Sequence, residues 1–162
     1  MPMSPAYQKR LSAALPKIAQ HFGTPFHIYD ETGIKETCAH LNTAFKNIDG
    51  FKEFFAVKAL PNPTIMEIMQ NAGFGFDCSS VPELTLSRKI GSHGEEIMFT
   101  SNNTSIPQFE SAQSDGGCIL NLDDISLISK VPDMPELICF RYILCARQTA
   151  NEIIGNPVEA KY

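Results

Sequence analysis

The sequence predicts an α/β fold, a partial (βα) barrel of about five parallel strands. Three observations lead there. Short, uninterrupted apolar runs stand at residues 54–57, 74–76, 97–99, 118–120 and 137–140. Their starts fall about 20 residues apart, which leaves room for one helix between neighbouring runs. The intervening segments carry helix-start and helix-stop signals. Strands that are apolar throughout, rather than alternating, are covered on both faces and belong to parallel sheets. A doubly wound sheet has the same signature and stays open as the rival. A complete eightfold barrel takes roughly 250 residues, so a chain of 162 supplies about five of eight units.

Each element has its own justification. Residues 5–22 place Leu11, Leu15, Ile18, Ala19 and Phe22 at helical spacing, in a helix that Pro16 is expected to kink or split. Gly23-Thr24-Pro25 then breaks the chain. Phe26-His27-Ile28-Tyr29-Asp30 reads as a short strand, and residues 31–45 as a second helix closed by residues 47–50. Residues 1–50 thus lead into the barrel, which occupies 51–145. Within it, Asn62 before Pro63 is a capping residue ahead of a first-turn proline. Ser80-Val81-Pro82-Glu83 and Ser105-Ile106-Pro107-Gln108 match the capping box. Gly73, Gly91 and Gly116 fall where those helices should end. Residues 146–162 show no periodic pattern and read as an irregular tail.

Composition removes several function classes. A hydrophobic content of 43% allows a core, and a net charge of −5 argues against a nucleic-acid binder working through a basic surface. No apolar run approaches the roughly 20 residues needed to span a bilayer. The first residues lack a signal-peptide pattern, so a cytoplasmic protein is expected. Five cysteines (38, 78, 118, 139 and 145) contain no CxxC pair, which favours buried free thiols over disulfides or zinc. The histidines at 21, 27, 40 and 93 have no ligand spacing, so no metal is expected.

Lys58 is the informative residue. It ends the run Phe54-Phe55-Ala56-Val57, at the carboxyl end of a parallel strand, where α/β proteins place their chemistry. An amine there can attack a carbonyl as a Schiff-base nucleophile. A lysine that merely snorkels from a strand end into water satisfies the same pattern.

The residues around it resemble a known family. Phe55-Ala56-Val57-Lys58-Ala59-Leu60-Pro61-Asn62-Pro63 is similar to the lysine motif of the fold-type III pyridoxal-phosphate decarboxylases. Phe22-Gly23-Thr24-Pro25-Phe26-His27-Ile28-Tyr29-Asp30 resembles their opening segment, and Gly75-Phe76-Asp77-Cys78-Ser79-Ser80 with Pro82-Glu83-Leu84 their second-strand motif. Ile97-Met98-Phe99-Thr100-Ser101-Asn102-Asn103-Thr104-Ser105 is most similar to the diaminopimelate decarboxylases within that group. The likeness runs in register from about residue 22 to 124.

The resemblance implies the N-terminal part of an alanine-racemase-like TIM barrel. It implies that Lys58 holds pyridoxal 5'-phosphate as a Schiff base, with Asp77 beside the lysine amine and Arg141 beside the cofactor. Asp77 reads equally well as a turn aspartate, and Glu83 reads better as the return member of its capping box than as catalytic. Arg141 is followed by Tyr142-Ile143-Leu144-Cys145 instead of the asparagine-proline-glycine type of turn usual in the family, so capping a strand or pairing with a carboxylate are alternatives for it. Asn102 and Asn103 could line the site or serve as turn residues.

The implied activity is that of a carboxy-lyase converting meso-diaminopimelate to lysine in lysine biosynthesis. The alternatives are a related amino-acid or polyamine-precursor decarboxylase and a non-catalytic relative acting as a binding protein. Alanine racemase and small single-domain pyridoxal-phosphate carriers are distant rivals. The resemblance also places the family's ring-stacking histidine, phosphate-gripping glycine-rich loop, ring-nitrogen glutamate and C-terminal β-domain beyond the fifth strand. The chain is therefore expected to be a truncated, inactive fragment that takes a small amino-acid substrate only in its parent enzyme. It is expected to form a homodimer or to self-associate through the open barrel edge.

Overall fold

The structure, a computed structural model, describes residues 4–141. The chain divides into two compact units, Met1–Phe51 and Lys52–Tyr162.

In the first unit, Ser4 caps helix α1 (Pro5–Phe22), its hydroxyl accepting a hydrogen bond from Tyr7 N at 3.1 Å. Pro16 does not split α1. A proline removes one backbone donor, and the carbonyl that loses it, Ser12, is on an exposed residue open to solvent. Helix α2 spans Glu31–Phe45, as its periodicity predicts. The strand expected at residues 26–30 is a correction: these residues form no strand. Their side chains do alternate, with Phe26, Ile28 and Asp30 half-buried between exposed His27 and Tyr29. Alternation reports an extended backbone, but a strand also needs a hydrogen-bonded neighbour. Here Ile28 O accepts instead from the Tyr7 hydroxyl at 3.3 Å. Asp30 forms an ion pair with Arg10, which holds its carboxyl below the usual carboxylate range.

The second unit is a run of βα units. Strand β1 (Phe54–Ala56) passes through a 3-10 turn at Val57–Ala59 to helix α3 (Pro63–Asn71). Strand β2 (Gly75–Cys78), helix α4 (Val81–Lys89), strand β3 (Gly94–Phe99) and helix α5 (Ile106–Gln113) follow. Strand β4 (Cys118–Leu122) is joined to β5 (Ile138–Phe140) by a 3-10 segment at Ile125–Lys130 rather than a full helix.

All neighbouring strands are parallel, in the order β1-β2-β3-β4-β5. This order decides between the two rival architectures. A doubly wound sheet reverses direction at a switch point, whereas a barrel adds each strand beside the last. The chain is a partial (βα) barrel.

Local signals set the helix ends. Asn62 Oδ1 accepts from Ile65 N at 3.3 Å, and the Gln108 side chain accepts from Ser105 N at 2.8 Å. The Ser80 box differs from the expected pattern. Glu83 reaches one residue further back, to Ser79 N at 2.9 Å, and its other oxygen takes the Ser80 hydroxyl at 2.8 Å. Gly91, at φ 92°, ends α4 in the left-handed region that a side chain disfavours.

The core lies between the sheet and its helices. Phe76, Ile97, Phe99 and Leu120 from the strands meet Met66, Leu84 and Phe109 from the helices, all at most 1% exposed. Because strand side chains alternate, the residues between these core positions point to the other face of the sheet. Gly75 keeps that sheet tight. A Cβ there would come within 2.7 Å of Glu96 O and of the Phe54 ring.

Candidate functional site

The strand phase determines what faces away from the core. Phe76 and Cys78 are buried, so Asp77 between them falls on the opposite face. By the same alternation Ile97 and Phe99 put Thr100 there, and Leu120 with Leu122 puts Asn121 there. The register pairs Phe99 with Leu120, which sets Thr100 and Asn121 at one level, and pairs Asp77 with Met98, two residues back on the same face, so that all three meet near the carboxyl ends of β2, β3 and β4. Thr100 N extends the ladder by donating to Cys78 O at 2.8 Å.

These residues line a cavity of about 490 Å³ with Lys58, Ser79, Ser101, Asn102 and Arg141. Lys58 belongs to the 3-10 turn that follows β1 and is exposed. Among the described residues its amine makes no hydrogen bond or ion pair. Asp77 is half-buried and accepts a hydrogen bond from the Thr100 hydroxyl at 2.6 Å. Thr100 Oγ1 in turn accepts from Asn121 Nδ2 at 3.1 Å. Arg141 follows β5, and its backbone N–H donates to Leu122 O at 3.0 Å, which anchors it beside β4.

The structure therefore brings Lys58, Asp77 and Arg141 to one cavity. Asn102 joins them, while Asn103, at φ 50°, occupies the turn beyond and is not among the lining residues. Glu83 uses both carboxylate oxygens on its own helix start and lies outside the lining. Thr100 and Asn121 are the residues the sequence reading misses. The signal that could have found them is a polar residue at the carboxyl end of an apolar strand, out of phase with the core.

The amine of Lys58 can condense with an aldehyde, and the carboxylate, guanidinium, amide and hydroxyl groups around it can bind an anionic, hydrogen-bonding partner. No group of three or more His, Cys, Asp or Glu suited to a metal occurs among the described residues. No helix among them is long and apolar enough to cross a membrane.

The thiols stand apart from this chemistry. Cys38, Cys78 and Cys118 are buried, Cys139 is half-buried, none of the four is in a disulfide among the described residues, and Cys145 lies outside them. Burial pushes the Cys78 thiol up to about 12 and the Cys118 thiol up to about 11, against an ordinary value of 9.0. A raised folded-state pKa favours the protonated native form, so this contribution to stability is intact below pH 9.0 and is lost as pH rises toward 12. Urea midpoints are expected to fall over that window. At pH 8, iodoacetamide should spare Cys78 and Cys118 until urea unfolds the chain, and rapid native alkylation of either would contradict their burial.

Fold and site together define a parallel (βα) barrel segment with a lysine at the carboxyl end of its first strand. Residues 31–146 match the family described as pyridoxal-dependent decarboxylase, pyridoxal binding domain, and the chain belongs to that family. It is 36% identical over all 162 residues to protein TabA of Pseudomonas amygdali pv. tabaci, of which it covers 38%. It is 30% identical over 128 residues to a diaminopimelate decarboxylase of Thermoplasma acidophilum, covering 79% of this chain and 31% of that one. The structure of diaminopimelate decarboxylase from Helicobacter pylori complexed with L-lysine superposes with a TM-score of 0.62 at 27% identity, over 72% of this chain and 29% of the other. The chain thus spans about a third of the length of the relatives it matches.

Proposed function

We propose that the chain is the pyridoxal-binding part of a pyridoxal-phosphate-dependent amino-acid decarboxylase, inactive by itself, whose whole enzyme acts on meso-diaminopimelate and yields lysine. The observation that carries this is Lys58 opening into a polar cavity at the carboxyl ends of the strands, inside the segment matched as a pyridoxal-binding domain. The donor set fits the cofactor. Lys58 supplies the amine for its aldehyde, Arg141 a cation for its anionic groups, and Asp77 a carboxylate acceptor. Ser79, Ser101 and Asn102 offer neutral hydrogen-bonding groups.

Pyridoxal phosphate, when bound, supplies the sink for the electron pair left behind as carbon dioxide departs. The chain's own residues hold and orient it. Lys58 anchors it, Asp77 accepts hydrogen bonds beside that anchor, and Arg141, tied to β4 through its backbone, sets a fixed positive charge at the rim.

The choice of diaminopimelate rests on the matches to decarboxylases of that name and on the stretch Phe99-Thr100-Ser101-Asn102-Asn103-Thr104-Ser105. A second reading is a related decarboxylase for another amino acid, left open by the match over the whole chain to protein TabA, whose name gives no substrate. In either case the protein is proposed to work in the cytoplasm and to pair with a second copy. Exposed Phe140 on β5 and Leu137 just before it support such pairing through that edge of the sheet.

The test reads cofactor capture rather than turnover. Pyridoxal phosphate is added, borohydride fixes what has condensed, and mass spectrometry locates the label. Stoichiometric label on the peptide containing Lys58 is expected, and label that is absent or scattered over the other lysines overturns the reading. Once label is found at Lys58, a larger perturbation of the cofactor's visible absorption by meso-diaminopimelate than by ornithine supports the substrate. The reverse order moves the assignment to the second reading.

A further inference from the structure

We infer that Thr100 and Asn121 are positioning residues, which lock the Asp77 carboxylate in one orientation beside Lys58. The inference rests on the cofactor-binding reading above and adds to it two residues that act through Asp77.

Asp77, as a carboxylate, only accepts, so the contact of 2.6 Å between Thr100 Oγ1 and Asp77 Oδ1 commits the single hydroxyl proton of Thr100. Having given that proton, Oγ1 can only accept from its other neighbour. Asn121 meets this demand with Nδ2, a pure donor, at 3.1 Å. The chain therefore has one polarity, from Asn121 to Thr100 to Asp77. A flipped Asn121 amide would set an acceptor against an oxygen with no proton left.

The backbone holds both supports in place. Thr100 N is bonded to Cys78 O on β2, and Asn121 lies on β4 within the ladder. Three strands thus hold one carboxylate. Asp77 spends Oδ1 on this chain, and its Oδ2 makes no hydrogen bond among the described residues, although Lys58 and Arg141 line the same cavity. The oriented oxygen is the one available to the reacting groups. A loss of orientation should therefore appear at Lys58, not in the stability of the fold.

The experiment compares cofactor capture at Lys58, by borohydride trapping, in the wild type, Thr100→Val, Thr100→Ser, Asp77→Asn and the double variant Asp77→Asn/Thr100→Val. Thr100→Val keeps the shape and removes the hydroxyl. It should weaken capture about tenfold, the effect of one hydrogen bond to a charged group. Thr100→Ser should restore it, and Thr100→Val should add nothing in the Asp77→Asn background, because its effect passes through the carboxylate. Unchanged capture in Thr100→Val, or full additivity with Asp77→Asn, overturns the inference and leaves the cofactor reading standing.

A second readout separates the two claims. The 13C shift of the Asp77 carboxyl carbon, measured without cofactor, should move in Thr100→Val and return in Thr100→Ser. A wild type that takes no label at Lys58 defeats the cofactor reading alone if that shift moves. If the shift does not move, the positioning claim falls with it.

Discussion

Lys58→Arg is expected to abolish covalent capture of pyridoxal phosphate while leaving the fold intact. The substitution keeps the positive charge and most of the side-chain length, so electrostatic attraction for an anionic cofactor survives. The reacting group does not: a guanidinium stays protonated and does not condense with an aldehyde as an amine does. Because Lys58 is exposed, the change in unfolding free energy should stay within about 0.5 kcal/mol, the usual range for surface positions.

The other lysines provide the internal control. Lys52 donates to Glu95 O at 3.0 Å and lies 5.5 Å from the centroid of the Phe54 ring, and Lys35 pairs with Glu31. Neither lines the cavity that holds Asp77 and Arg141. Trapping followed by mass spectrometry should therefore show the Lys58 label fall to background with no compensating label elsewhere. Undiminished labelling at another lysine would mean that the chain captures aldehydes through its surface, and Lys58 would lose its special place.

The architecture is legible in the sequence because each of its signals is local. The apolar runs at 74–76 and 118–120 lie within or beside β2 and β4 as formed, and the glycines at 73, 91 and 116 follow α3, α4 and α5. Where a feature depends on a distant neighbour, local reading fails. Residues 26–30 alternate like a strand but have no strand beside them. Thr100 and Asn121 become partners only through a register that pairs Cys78, Phe99 and Leu120 across three strands. Lys58 could be singled out because it sits directly after its apolar run. Asp77 could be placed near it, but what orients Asp77 lies 23 and 44 positions away. Arg88 belongs to the same group of distant relations: nothing near it in sequence indicates what it holds.

Arg88→Met should cost about 3 kcal/mol of stability, the upper end for hydrogen bonds made by a charged group. Arg88 lies in the last turn of α4, with its side chain only 11% exposed. Its guanidinium donates to Ser111 O and Ala112 O at 2.9 Å and to Ser114 O at 2.8 Å, and approaches Asp115 at 4.0 Å. These carbonyls belong to the end of α5, where a helix leaves its last acceptors without intrahelical donors. The planar fork of Arg88 thus supplies a C-cap from a neighbouring helix and sets a positive charge against the negative end of the α5 dipole. Methionine fills much of the space but returns none of the donors. Arg88→Lys should recover less than half of the loss, since one ammonium cannot span three carbonyls with the fork's geometry. Urea unfolding at pH 7 measures both. A loss below about 0.5 kcal/mol for Arg88→Met would show that water caps α5 equally well. The effect should reach the site, because α4 follows the strand of Asp77 and α5 follows the strand that runs into Thr100. Loosening the α4–α5 contact should lower cofactor capture at Lys58 well below the unfolding midpoint, at urea concentrations where the wild type still captures fully.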